Sequence, residues 1–143
     1  MKVYQWTDAN IPANVTHFPA RAGSKGFVIG GKKPGVTPYG LMGVNIYTEA
    51  FSSPYASRIT FAPATVKTIK GTYGRYDGPC APWNDSVIHQ YTFYVYALNV
   101  AHLTLPKNGM YQGAALMKAM NGHVLAKASL LTPYTNNPMF LRS

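Results

Sequence analysis

Residues 91–100, YTFYVYALNV, limit what this chain can fold into more than any other stretch. Side chains alternate across a strand, so Tyr91, Phe93, Val95 and Ala97 would share one face and Tyr94, Tyr96 and Leu98 the other. Both faces are apolar, which predicts a central strand covered on both sides. Eleven Tyr, six Phe and two Trp favour strands over helices in the rest of the chain. The expected fold is therefore mainly β, with antiparallel pairing and one or two short helices.

The residues that lead into this strand carry the candidate chemistry. Proline fixes its own φ and pushes the preceding residue towards extended conformations. Gly78-Pro79 and Ala81-Pro82 should thus stiffen the loop, with Gly74 and Gly78 adopting conformations that other residues avoid. His89 and Tyr91 follow, two apart, and would lie on one strand face. An imidazole N–H and a phenol O–H placed so can converge on one cluster of oxygens. Anion capture at His89 and Tyr91 is the favoured reading, against a satisfied structural histidine and a packed tyrosine.

Elsewhere, residues 1–7 read as a strand and Asn10 to Ala13 as a turn. The stretch from Gly23 to Pro63 holds the breakers Gly30-Gly31, Pro34-Gly35 and Pro38. Short strands or hairpin arms are expected there at Phe27-Val28-Ile29, at 43–47 and at Arg58-Ile59-Thr60-Phe61. Residues 112–121 predict a short helix, with Leu116, Met117 and Met120 inward and Gly122 as its left-handed stop. Residues 123–131 predict a last strand that Pro133 ends, and Asn136-Asn137-Pro138 lies in a loop tail. His17 and His102 read as surface residues, and His123 as a structural hydrogen-bonding group. Asp77 and Asp85 read as a turn acid and a loop acid.

These pieces, in order, resemble the phosphatidylethanolamine-binding protein family, in its bacterial and archaeal Raf-kinase-inhibitor-like branch. Tyr76, Gly78, Pro79, Cys80 and Pro82, then His89 and Tyr91, then Phe93 and Tyr96-Ala97-Leu98, are similar to that branch's Y-G-G-P-C-P-P, H-x-Y and Y-A-L. Leu105-Pro106, the run from Ala114 to Met120 and Gly122-His123-Val124-Leu125-Ala126 resemble its later L-P, helix and G-H-V-L-A strand. Trp6 and Asn10-Ile11-Pro12-Ala13 resemble its H-W-x-x-x-N-I-P-A, with Gln5 in the histidine's place. No D-P-D-A-P loop occurs in the chain. On this resemblance residues 1–143 are expected to form one such domain, N-terminally incomplete, with a divergent or inserted segment at about 23–63.

The resemblance implies non-catalytic binding of a phosphate-bearing or other anionic ligand, such as a lipid head group. A protein kinase or other partner would be modulated by that binding. His89 and Tyr91 would donate to the anion, Gln5 would offer a neutral amide, and Trp6 would stand near the pocket. Gly78, Pro79 and Pro82 would shape the loop. A charge-assisted hydrogen bond contributes about 1.5–3 kcal/mol. With Gln5 in place of a histidine and the acidic loop absent, binding should be weakened on the order of tenfold to a hundredfold. No cofactor or metal is expected.

Composition sets the remaining bounds. Thirteen Lys and Arg against four acids give a net charge of +9, which favours anionic partners. The basic residues are scattered, so a specific nucleic-acid surface is not expected. One cysteine excludes an intrachain disulfide and a Cys-based zinc cage. No apolar run approaches the roughly 20 residues of a membrane span, and no signal peptide is visible at Met1. A cytoplasmic chain is expected, subject to whatever precedes Met1. Other readings stay open: a hydrolase using Cys80 and His89, a basic nucleic-acid binder, and a non-functional remnant. A remnant's unpaired strand edges would invite pairing with a second copy, as in a homodimer.

Overall fold

The computed structural model describes residues 3–26, 28–52, 69–79, 81 and 85–141. It is mainly β and antiparallel, with two short α-helices. The chain divides into two compact units, Met1–Asp77 with Val100–Asn121, and Gly78–Asn99 with Gly122–Ser143.

The first unit is built on a small sheet of β1 (Asp8–Ala9), β2 (Gly35–Thr37) and β3 (Gly40–Met42), in the order β1-β3-β2. Pro38 and Tyr39 turn the chain between β2 and β3, and the Thr37 hydroxyl closes that turn by accepting the Tyr39 N–H at 3.2 Å and donating to the Gly40 carbonyl at 3.0 Å. Gly40 has φ +148°, a value that costs glycine little and other residues more. This hairpin falls between the arms that the sequence suggests. Val28 takes part in a turn closed by Gly31 N–H to its carbonyl, not in a strand. Phe27 and the stretch from Arg58 to Phe61 lie outside the described residues.

Residues 43–47 are not a strand either, because their N–H groups go to different neighbours. Gly43 donates to the Thr7 carbonyl, Val44 to Tyr111, Asn45 to Tyr73 and Ile46 to Tyr4. A single ladder cannot form from bonds so divided. Residues 4–7 lie on the other side of two of those bonds; of the expected strand over 1–7, the described residues 3–7 form none, and β1 begins only at Asp8. After Asn45 the chain turns into α1 (Tyr47–Ser52). Asn45 drives this by accepting the Tyr47 N–H on its side-chain oxygen at 3.0 Å, an N-terminal capping contact. Tyr47 and Phe51, one turn apart, then stack at 5.7 Å, and Phe51 meets Tyr73 at 5.1 Å.

The second helix, α2 (Gly113–Ala119), stands where its pattern places it, although Met117, expected inward, is exposed. Gly122 follows with φ +78°. Ala9, Leu41 and Tyr111 form the buried core beside the sheet, with Leu105 and Leu116 packed against them.

The second unit is a ribbon of β4 (His89–Leu98) and β5 (Val124–Tyr134), paired antiparallel along their length. Two sequence expectations change here. Pro133 does not end β5 but lies within it, opposite Gln90; a strand with an open edge can face proline's missing donor outward. β4 is not central among the described residues, since β5 is its one partner. Tyr94, Val95, Leu130 and Leu131 stay more than half exposed. Apolar patterning reports what a strand could bury, whereas coverage depends on which layers the chain supplies.

Candidate functional site

The base of the ribbon carries the two residues singled out by spacing. His89 opens β4 and Tyr91 follows on the same face, both half-buried. His89 Nε2 lies 2.6 Å from Asp85 Oδ2. The other Asp85 oxygen accepts the Val87 N–H at 3.0 Å, which closes the turn between the acid and the strand. The hydrogen bond from His89, then that from Val87, holds the Asp85 carboxyl below its ordinary range. Asp85 is thus a carboxylate that fixes the ring and leaves Nδ1 directed elsewhere. Among the described residues no hydrogen bond is made by Nδ1.

Tyr91 packs edge-on against Tyr134, which lies diagonally across the ribbon and directly opposite His89, with ring centres 6.1 Å apart. The Tyr134 hydroxyl donates to Asn136 Oδ1 at 2.7 Å, and Asn136 Nδ2 donates to the Ala81 carbonyl at 2.7 Å. Asn137 Nδ2 donates to the Asp85 carbonyl at 2.8 Å, while its Oδ1 caps a short 3-10 turn at Met139 N–H. Asn136 and Asn137 therefore tie the proline loop to the ribbon's end. The sequence signal for them was present: an Asn directly before Pro138 is an N-cap followed by proline in the first turn.

The loop itself is partly visible. Gly78 has φ +88°, a conformation that other residues avoid, as expected of a glycine there. Gly74 has no such φ; its requirement is space, because a side chain there would run into Pro34. The left-handed residue beside it is Arg75, at φ +66°. Cys80 and Pro82 lie outside the described residues, and so does any geometry between Cys80 and His89.

Gln5 and Trp6 belong to the first unit. Trp6, expected near a pocket, stacks on Tyr76 at 5.4 Å and meets Phe18 edge-on at 5.7 Å within this unit. Gln5 is half-buried, and its Oε1 is enclosed without a hydrogen-bond partner. Asp77, read as a turn acid, instead accepts from buried Lys32 at 2.5 Å and from Asn45 at 2.8 Å, a network internal to this unit. His17 and His102 are exposed, and His123 Nδ1 pairs with Asn99 Oδ1 at 2.9 Å, as a structural histidine would. Among the described residues no group of three or more His, Cys, Asp or Glu could hold a metal, and no helix is long and apolar enough to cross a membrane.

The profile of the phosphatidylethanolamine-binding protein family matches residues 1–135. The chain belongs to this family. A relative, the UPF0098 protein of Chlamydia muridarum (strain MoPn / Nigg), is 40% identical over 57 residues, which span 40% of this chain and 36% of that protein. The match thus covers little more than a third of the relative's length. No solved structure matches.

Proposed function

We propose that this chain binds a phosphate-bearing or similar anionic group without catalysis, using His89 and Tyr91 at the ribbon's base. The observation that carries the reading is the His89–Asp85 contact at 2.6 Å. With Nε2–H committed to the carboxylate, Nδ1 is the ring atom left for an anion, to which it donates in the imidazolium form. The Tyr91 hydroxyl supplies a second donor from the same face. The net charge of +9 raises the local concentration of anions. Asp85 also opposes the ligand's charge, so the affinity is low. A lipid head group or a phosphorylated protein partner, such as a kinase, would present the same chemistry.

Isothermal titration with phosphoethanolamine tests this. Binding weaker than micromolar is expected. His89→Ala should cost on the order of tenfold to a hundredfold, and Tyr91→Phe about tenfold or less. Submicromolar affinity, or binding indifferent to His89→Ala, contradicts the reading.

A hydrolase is the second reading, and one observation favours it: Asp85 is the orienting carboxylate that a Cys80–His89 pair would need. Ester turnover lost in Cys80→Ala but kept in Tyr91→Phe would select it over anion binding.

A further inference from the structure

The carboxyl of Asp8 has no role in the proposed site and sits in an unusual place. Asp8 lies on β1, opposite Met42 of β3, beside the core of Ala9, Leu41 and Tyr111. Both of its oxygens are sealed from solvent and neither accepts a hydrogen bond of ordinary geometry. One oxygen rests against Gly40, where any larger residue would collide with it. Among the described residues no cation pairs with it. The buried Lys32 of this unit is committed to Asp77. Strands β2 and β3, Gly-Val-Thr and Gly-Leu-Met, present nothing that titrates. From the segment before α2 the titratable group is Tyr111, whose hydroxyl donates to the Leu41 carbonyl. Burial first, and the Asp8 carboxyl second, hold that hydroxyl well above its ordinary value.

An ionised carboxylate enclosed without a counter-charge and without a well-formed hydrogen bond costs far more than a neutral acid in the same place. We propose that Asp8 is folded in as a neutral carboxylic acid, and that its ionisation loosens β1 from β3, so that the first unit's sheet responds to pH.

The magnitude follows from the same geometry. Burial pushes the Asp8 carboxyl from its ordinary 3.8 up to about 7, and the Ala9 N–H offsets only part of that push. Because the folded value is the higher one, the full stability is present below the unfolded value and is lost as pH rises to the folded value. Above that point both states are ionised and the loss is constant. The folded-to-unfolded ratio should therefore drop on the order of a thousandfold between about pH 4 and pH 7 from this group alone. β1 is the element at risk because its two residues hold to β3 alone.

The test is thermal unfolding of the full chain across pH 4 to 9, with amide hydrogen exchange read at Ala9 and Leu41. The wild-type midpoint should fall up to about pH 7 and then level, with protection at Ala9 and Leu41 falling alongside it. Asp8→Asn should remove most of that slope and be the more stable protein at pH 8. Should the variant fail to fold, the carbon-13 shift of the Asp8 carboxyl in the wild type reads the protonation directly, and a midpoint near 7 is expected. A wild-type slope kept in Asp8→Asn, or a carboxyl that titrates in the ordinary range, would overturn the proposal. None of these readings depends on anion binding at His89.

Discussion

The two units manage polar and apolar groups in opposite ways. The first buries its sheet well: Met42 is fully enclosed and Leu41, Val44 and Tyr111 nearly so. It nevertheless encloses acceptors with no partner, on Gln5 and Asp8. The second pairs its polar groups at the ribbon base, through Asp85, Asn136 and Asn137, but leaves Val95, Leu125 and Leu130 about two-thirds exposed. Local hydrogen bonding thus fixes the candidate site in the second unit, whereas hydrophobic burial fixes the scaffold of the first. Perturbations should sort the same way, by burial in one unit and by bonding in the other.

The largest effect belongs to the buried scaffold. Met42→Ala leaves a cavity in a side-chain site with no exposure, and about 2–5 kcal/mol of stability should be lost in denaturant unfolding. A loss below about 1 kcal/mol would mean that this core is not packed as described. Next comes the polar base of the ribbon. Asn137→Ala removes its bond to the Asp85 carbonyl and its cap on Met139, at a cost of about 1–3 kcal/mol. His89 should then lose its fixed ring orientation, visible as line broadening of its imidazole resonances. The smallest effect is expected at Leu130, where Leu130→Ala should change stability by no more than about 0.5 kcal/mol because so little of it is covered. A larger loss there would show that the ribbon face is packed in solution and would erase the contrast.

Periodicity and turn chemistry were legible where they act locally. The helix at 113–119 announced itself through Leu116 and Met120 and its terminal glycine, and β4 through its aromatic-rich run. The His89–Tyr91 spacing placed both side chains on one face, as a strand must. What the sequence could not reveal depended on distant partners. Asp85 reads as an ordinary loop acid until the chain brings it to the imidazole four residues on. Asp77 reads as a turn residue until Lys32 and Asn45 meet it. Residues 43–47 look like a strand because Val44 and Ile46 alternate with polar neighbours, yet three different segments accept the N–H groups of residues 43–46. Asp8 carries no local sign of burial, since two residues of strand give no periodicity to read.

The central claim is that His89, held by Asp85, offers its second nitrogen to an anion. Titrating phosphoethanolamine into the nitrogen-15-labelled protein at acidic pH, and following the His89 ring, tests it most directly. The account predicts that Nδ1 shifts progressively while Nε2, bonded to Asp85, hardly moves, with Tyr91 resonances changing in parallel. Shifts confined to other residues, or a ring that stays unperturbed at saturating ligand, would contradict it.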